Sequence, residues 1–148
     1  MSENQRGVIL IGLIVACLVT GVLAMPVVPK IGGWLEQYRL CNTARDIAYL
    51  MRTAQVNAGY GNTEYRVRIE CGTGTLRLQR NDRERWADER FLSLPPGIRI
   101  KEVILPGGMV LFRSDAMSSP PGCLTLTDLT GVEKRIILIP GTGRVNIE

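Results

Sequence analysis

The sequence predicts an α+β chain: a long N-terminal α-helix, its first half suited to a membrane, packed on a small antiparallel β-sandwich-like domain. Three observations predict it. Residues 8–28 carry no charged side chain. Residues 29–58 place apolar side chains three and four apart, the helical rhythm. From Tyr65 onward the apolar positions recur every second residue and are broken by Gly and Pro turns.

The first run reads VILIGLIVACLVTGVLAMPVV. A helix rises about 1.5 Å per residue, so a run of this length is enough to cross a hydrocarbon core of about 30 Å. Three readings compete for it. A cleaved secretory signal has an apolar stretch of about 7–15 residues, and VLAMP offers a cleavage site. A plain single-pass anchor is the second. The third is a short polar leader, residues 1–7, removed ahead of a helix that stays in the membrane. Pro26 and Pro29 close the run. Each removes a backbone donor and crowds the preceding turn, so kinks are expected there.

The helix is expected to continue through residues 29–58. Ile31, Trp34, Leu35, Tyr38 and Cys41 form one apolar stripe, and Ile47, Leu50, Met51 and Ala54 extend it. Arg39, Arg45, Asp46 and Arg52 take the polar side. Gly32-Gly33 weakens the helix by about 1 kcal/mol per residue relative to alanine. Asn57-Ala58-Gly59 is the stop signal. A single helix over residues 8–58 would span roughly 75 Å. Trp34 and Tyr38 read as core packing or an interfacial belt.

Residues 60–148 read as the β domain. Tyr65, Val67, Ile69 and Cys71 alternate with polar residues, Gly72-Thr73-Gly74 turns the chain, and Leu76 and Leu78 begin the return strand. Residues 81–90 are dense in charge and read as a loop. Residues 98–105, 109–113, 123–127, 134–139 and 144–147 complete about seven short strands. Residues 114–122, with Pro120-Pro121, read as an exposed loop.

Composition excludes several chemistries. The chain has no histidine, which removes Ser-His-Asp and Cys-His catalysis and any His-bearing zinc site. Cys17, Cys41, Cys71 and Cys123 form no CxxC pair. Gly141-Thr142-Gly143 lacks the lysine and following helix of a phosphate loop. No catalytic residue, metal ligand or cofactor site emerges. Cys71 and Cys123 are the candidate disulfide, worth about 2–4 kcal/mol if closed; two buried thiols, or pairing by Cys41, are the alternatives. The net charge of +4 and pI near 9.1 are mildly basic. Arg66, Arg68 and Arg77 form a candidate phosphate-binding stripe on the first hairpin. Glu64, Glu70, Asp82, Glu84, Asp88 and Glu89 dilute it, and a solvated strand face is the other reading.

The N-terminus resembles the type IV prepilin family. Arg6-Gly7 followed by Val8-Ile9-Leu10-Ile11 matches a leader that ends in a basic residue and glycine. Pro29 falls where many members carry a helix-kinking proline, and Pro26 is extra. In the second half MVLFRSDA, CLTLTD and EKRIILIPGTGRVNI, with LMRTAQVNAG at the helix end, resemble the H-type minor pseudopilins and related FimT pilins. Two positions depart from the family. Val8 stands in place of the usual phenylalanine, and Gly12 stands where a glutamate normally pairs with a neighbouring subunit's amine. Gly12 fits a minor subunit near a filament tip, or simply allows close helix packing.

The resemblance implies a structural subunit with no enzymatic activity and no cofactor. It implies cleavage between Gly7 and Val8 by a prepilin peptidase, with N-methylation of the new end. The implied map is a leader at 1–7, a transmembrane or filament-core helix at 8–28, its amphipathic continuation at 29–58 and a globular domain at 60–148. The implied partners are the peptidase, other pilins or pseudopilins and an inner-membrane assembly platform, with secreted cargo or DNA as contacts of its loops. The implied location is the bacterial inner membrane, single-pass, with the β domain periplasmic or extracellular. Some FimT-like proteins take up DNA through basic residues near the C-terminus; here that end carries Arg144 and closes on Glu148.

Overall fold

The computed structural model describes residues 3–24, 28–83, 85–115 and 121–148, with side chains described for residues 7–22 and from 32 onward within these ranges. The chain divides into two compact units, Met1–Leu35 and Glu36–Glu148.

The apolar run becomes helix α1, Glu3–Ala24. Its described side chains from Val8 to Val22 are exposed. Val8 is 71% exposed and Val22 69%, with Ile9, Leu10, Ile11, Leu13, Ile14, Val15, Leu18 and Val19 exposed between them. Helix α2 spans Val28–Gly61. Helix is thus described on both sides of residues 25–27, which with Pro26 lie outside the described residues, and Pro29 lies near the start of α2. Among the described residues no helix is long and apolar enough to cross a membrane.

Within the second unit, α2 supplies the core stripe Leu40, Ala44, Ile47, Ala48, Leu50, Met51, Ala54 and Ala58. These sit three and four apart, as a face buried on one side requires. The stripe starts later than the sequence suggested. Trp34 and Tyr38, read as candidates for core packing, are 77% and 60% exposed. The helix also ends later, with Asn62 in the left-handed region (φ 47°) just past Gly61. Asparagine tolerates that conformation better than most non-glycine residues, so it can terminate a helix there.

Eight strands follow: β1 Tyr65–Glu70, β2 Thr75–Asp82, β3 Arg85–Ser93, β4 Arg99–Ile104, β5 Met109–Phe112, β6 Gly122–Thr127, β7 Glu133–Leu138 and β8 Val145–Ile147. They form two antiparallel four-stranded sheets, ordered β3-β2-β1-β5 and β4-β6-β7-β8. One apolar cluster joins α2 to both sheets, with Val67, Leu76, Val110 and Phe112 from the first and Leu124, Leu126, Ile136 and Leu138 from the second. The α+β class with a sandwich-like domain is what the structure shows.

Strand β3 corrects the reading of residues 81–90 as a loop. Asp82 pairs with Arg85, so the chain turns tightly there, with Arg83 at φ 49°. Hairpin turns of this kind usually announce themselves with Gly or Asn-Gly, and neither is present. Strand β3 also lies at a sheet edge with only Trp86 and Leu92 partly buried, so it lacks the apolar alternation that marks a core strand. The expected loop at 114–122 keeps only its ends among the described residues.

Candidate interaction surface

The three arginines of the candidate phosphate stripe do come together on the outer face of the first sheet. Strand alternation buries Tyr65, Val67 and Ile69 and turns Arg66, Arg68 and Glu70 outward. The antiparallel register places Arg68 opposite Arg77 and Arg66 opposite Gln79. Two like charges face to face repel, and the neighbouring side chains answer that repulsion. Arg77 lies 3.1 Å from Glu70 Oε1 and donates from Nη1 to Asp88 Oδ2 at 3.1 Å. Asp88 accepts from Gln79 Nε2 at 2.5 Å, and Gln79 Oε1 accepts from Arg66 Nε at 2.6 Å. The Gln79 amide first, then Arg77, holds the Asp88 carboxyl below its ordinary value. Burial first, then the Arg68 charge, lowers the Arg66 guanidinium.

The stripe is thus an interleaved network of cations, carboxylates and amides. Arg77 is ion-paired with Glu70 and Asp88, and Arg66 donates to Gln79, so part of the stripe's charge is answered within it. Nearby, Glu89 is the extra residue of a bulge, because Leu78 faces Arg90 while Gln79 faces Asp88. The Tyr65 hydroxyl donates to Glu89 Oε1 at 3.3 Å, and burial first, then Glu89, raises that phenol.

The cysteines are placed apart. Cys71 lies in the turn after β1, not in the strand expected for it, and is exposed. Cys123 lies half-buried in β6 of the other sheet. All four cysteines are free thiols. Gly7, Val8 and Gly12 lie on α1, and nothing comes within 4 Å of a Cβ added at Gly7 or Gly12. Arg6 belongs to the same helix.

Sequence reading missed two features. The first is an exposed aromatic face on α2. Tyr38, Tyr49 and Tyr60 are 60%, 65% and 90% exposed, with Val56 on the same side. The tyrosines recur about three helical turns apart, which keeps them on one face. That spacing was the available signal. The second is a cleft of ≈ 540 Å³ lined by Arg52, Gln55, Val56, Ile139, Arg144, Val145 and Asn146. Its two walls come from segments far apart in the chain, so no local pattern marks it.

A long helix, a four-stranded antiparallel sheet and a second one sharing its core define an arrangement seen in solved structures. The chain has the minor pseudopilin fold. A structure of the minor pseudopilin EpsH from the type II secretion system of Vibrio cholerae superposes with a TM-score of 0.65 at 14% identity, covering 74% of this chain and 96% of that one. A crystal structure of the same Vibrio cholerae pseudopilin gives 0.64 at 13% identity, covering 76% and 94%. No family model matches the chain, and no curated protein does. The pseudopilin fold is therefore carried here by geometry at low identity. Among the described residues no group of His, Cys, Asp or Glu could hold a metal ion.

Proposed function

We propose that this chain is a minor pilin-like structural subunit of a type II secretion pseudopilus or a type IV pilus. One observation carries the reading: α1 is uncharged and exposed along residues 8–22, on a chain whose folded domain has the pseudopilin architecture. A helix without a polar face is stable in water only when something else covers it. Lipid covers it before assembly, and neighbouring subunits' helices cover it in a filament. The anchor rests on the uncharged sequence run 8–28, which extends past the described side chains of α1.

Prepilin peptidase cuts between Gly7 and Val8, the new N-terminus is methylated, and an inner-membrane platform inserts the helix into the filament. The β domain then lies on the periplasmic or outer side. Gly12 leaves the subunit without the carboxylate that would pair with a neighbour's amine, which suits a subunit present in few copies. The aromatic face of α2 is a second surface for contact with neighbours. Catalysis has no part in this role.

The test is the mature N-terminus, read by mass spectrometry in cells with and without the peptidase. A chain that begins at Val8 only when the peptidase is present is the expected result. A chain cut near Met25, or left whole in both strains, would overturn it in favour of a plain anchored or secreted β domain.

A further inference from the structure

The cleft between α2 and the β7–β8 turn has the chemistry of a carboxylate receptor. Arg52 and Arg144 face it from opposite walls, and no Asp or Glu lines it. Four other cations of the domain are ion-paired among the described residues: Arg39 with Glu36, Arg77 with Glu70 and Asp88, Arg80 with Glu89, and Lys101 with Glu133. Neither Arg52 nor Arg144 makes an ion pair among the described residues.

The walls are tied together before any ligand arrives. Gln55 Nε2 donates to the Thr142 carbonyl at 2.8 Å, and Arg52 Nη2 donates to the Val145 carbonyl at 3.5 Å. The turn itself is closed by Ile139 N to Arg144 O at 2.9 Å and Gly143 N to Ile139 O at 3.1 Å. A site held in this way loses little freedom on binding. Its volume falls in the range of ligand clefts, about 300–1,000 Å³.

The groove continues along α2 past Gln55, Val56, Gly59 and Tyr60, with no further charge. Val56 and Ile139 are 51% and 41% exposed on its wall. A nucleic acid needs a track of cations at the spacing of its phosphates. Two arginines at one end of an apolar trough fit a side-chain carboxylate followed by an apolar residue. We infer that this cleft binds an acidic-apolar segment of a partner protein, with the Arg52 and Arg144 guanidinium groups holding the carboxylate and Val56, Ile139 and Tyr60 holding the apolar neighbour. That the partner is a fellow subunit rests on the proposed filament role; the carboxylate chemistry does not.

The experiment uses the full chain in detergent micelles, titrated with the peptide acetyl-Phe-Glu-Glu-Leu-amide and watched by NMR at the Gln55 and Asn146 side-chain amides. Saturable shifts are expected, with at least tenfold weaker binding by the Phe-Gln-Gln-Leu peptide. Arg144→Gln, at an exposed turn position, weakens the acidic peptide at least tenfold, while Arg52→Lys, which keeps the charge, weakens it less. Equal binding of the two peptides, or no effect of Arg144→Gln, overturns the inference. So does tighter saturation of the same amides by inorganic phosphate or a single-stranded oligonucleotide. The titration reads nothing of N-terminal processing, so its failure leaves the filament role standing. An unprocessed N-terminus would remove the filament partner and leave the titration result intact.

Discussion

The guanidinium carbon of Arg66 stands 4.1 Å from the centre of the Trp86 ring. The two residues belong to β1 and β3, which do not pair; β2 runs between them. Arg66 therefore reaches across a strand to hold the edge of the sheet, and its Nε is aimed by Gln79 on the way. Beyond its backbone pairing with β2, strand β3 is held by this contact, by Leu92 and by the bonds of Asp88 and Glu89 to Arg77, Gln79 and Tyr65.

Trp86→Ala should therefore loosen the edge more than its surface position suggests. A cation–π contact contributes roughly 0.5–2 kcal/mol according to its exposure, and the indole adds burial. The expected loss is about 1–2 kcal/mol, measured by urea denaturation of the full chain in detergent. Arg66→Lys should recover only part of it, because an ammonium cannot both stack on the ring and donate to Gln79 as the planar fork does. Equal stability of Trp86→Ala and the parent would show that the Arg66–Trp86 contact contributes nothing to holding β3.

Gly122 opens β6 where the chain passes close to the end of β4. A Cβ there would run into Leu105 Cδ2 and lie 2.8 Å from the Ile104 carbonyl oxygen. The leucine end can swing away, but the carbonyl is backbone and belongs to the β4–β6 pairing. Gly122→Ala should cost about 1–3 kcal/mol, as overpacking usually does. Gly72→Ala, with nothing within 4 Å of its Cβ, is the matched control and should be near neutral. Thermal unfolding midpoints of the two variants decide the point.

Asp128 organises the turn between β6 and β7. Its Oδ1 accepts from the Thr130 amide at 2.9 Å, the Thr130 hydroxyl at 2.7 Å and the Val132 amide at 2.9 Å. Burial raises its carboxyl, but the hydrogen bonds from Thr130, Val132 and Gly131 outweigh burial and leave it below its ordinary value. The unfolded chain, titrating near the usual ~3.9, takes up this proton first. The stability from Asp128 is complete above that value and is lost as pH falls through it toward the lower folded value. Asp128→Asn should flatten the decline in urea midpoint between about pH 5 and about pH 3, leaving the part that Asp88 contributes in the same direction. Asp128→Ala, which strands three donors, should cost about 1–3 kcal/mol at neutral pH.

Changing Arg66, Arg68 and Arg77 together to alanine should leave DNA retention unchanged in a low-salt mobility-shift assay. Arg77 is already engaged by Glu70 and Asp88, and Arg66 by Gln79 and Trp86. A clear loss of retention would show that Arg68 and its neighbours present usable charge after all, and would restore the DNA-binding reading.

Much of the fold was legible because burial leaves a period in the sequence. Tyr65, Val67 and Ile69 alternate because one face of β1 meets the core, and Ile47, Leu50, Met51 and Ala54 keep helical spacing because one side of α2 does. Strand β3 and the start of the α2 stripe were not legible. An edge strand that buries two side chains has no alternation to read, and Trp34 and Tyr38 continue the helical rhythm without facing the core.

The candidate sites divide the same way. The uncharged run 8–28, the absence of histidine and the outward placement of Arg66, Arg68 and Arg77 on the first hairpin follow from the sequence by itself, since each depends only on composition or on local period. How those arginines are engaged, which elements carry Cys71 and Cys123, and where two guanidinium groups line one cleft depend on tertiary structure. Each depends on which distant segments come together. The register that puts Asp88 beside Arg77 and the packing that puts Arg144 opposite Arg52 come from burying one common core, and no local stretch of residues encodes that.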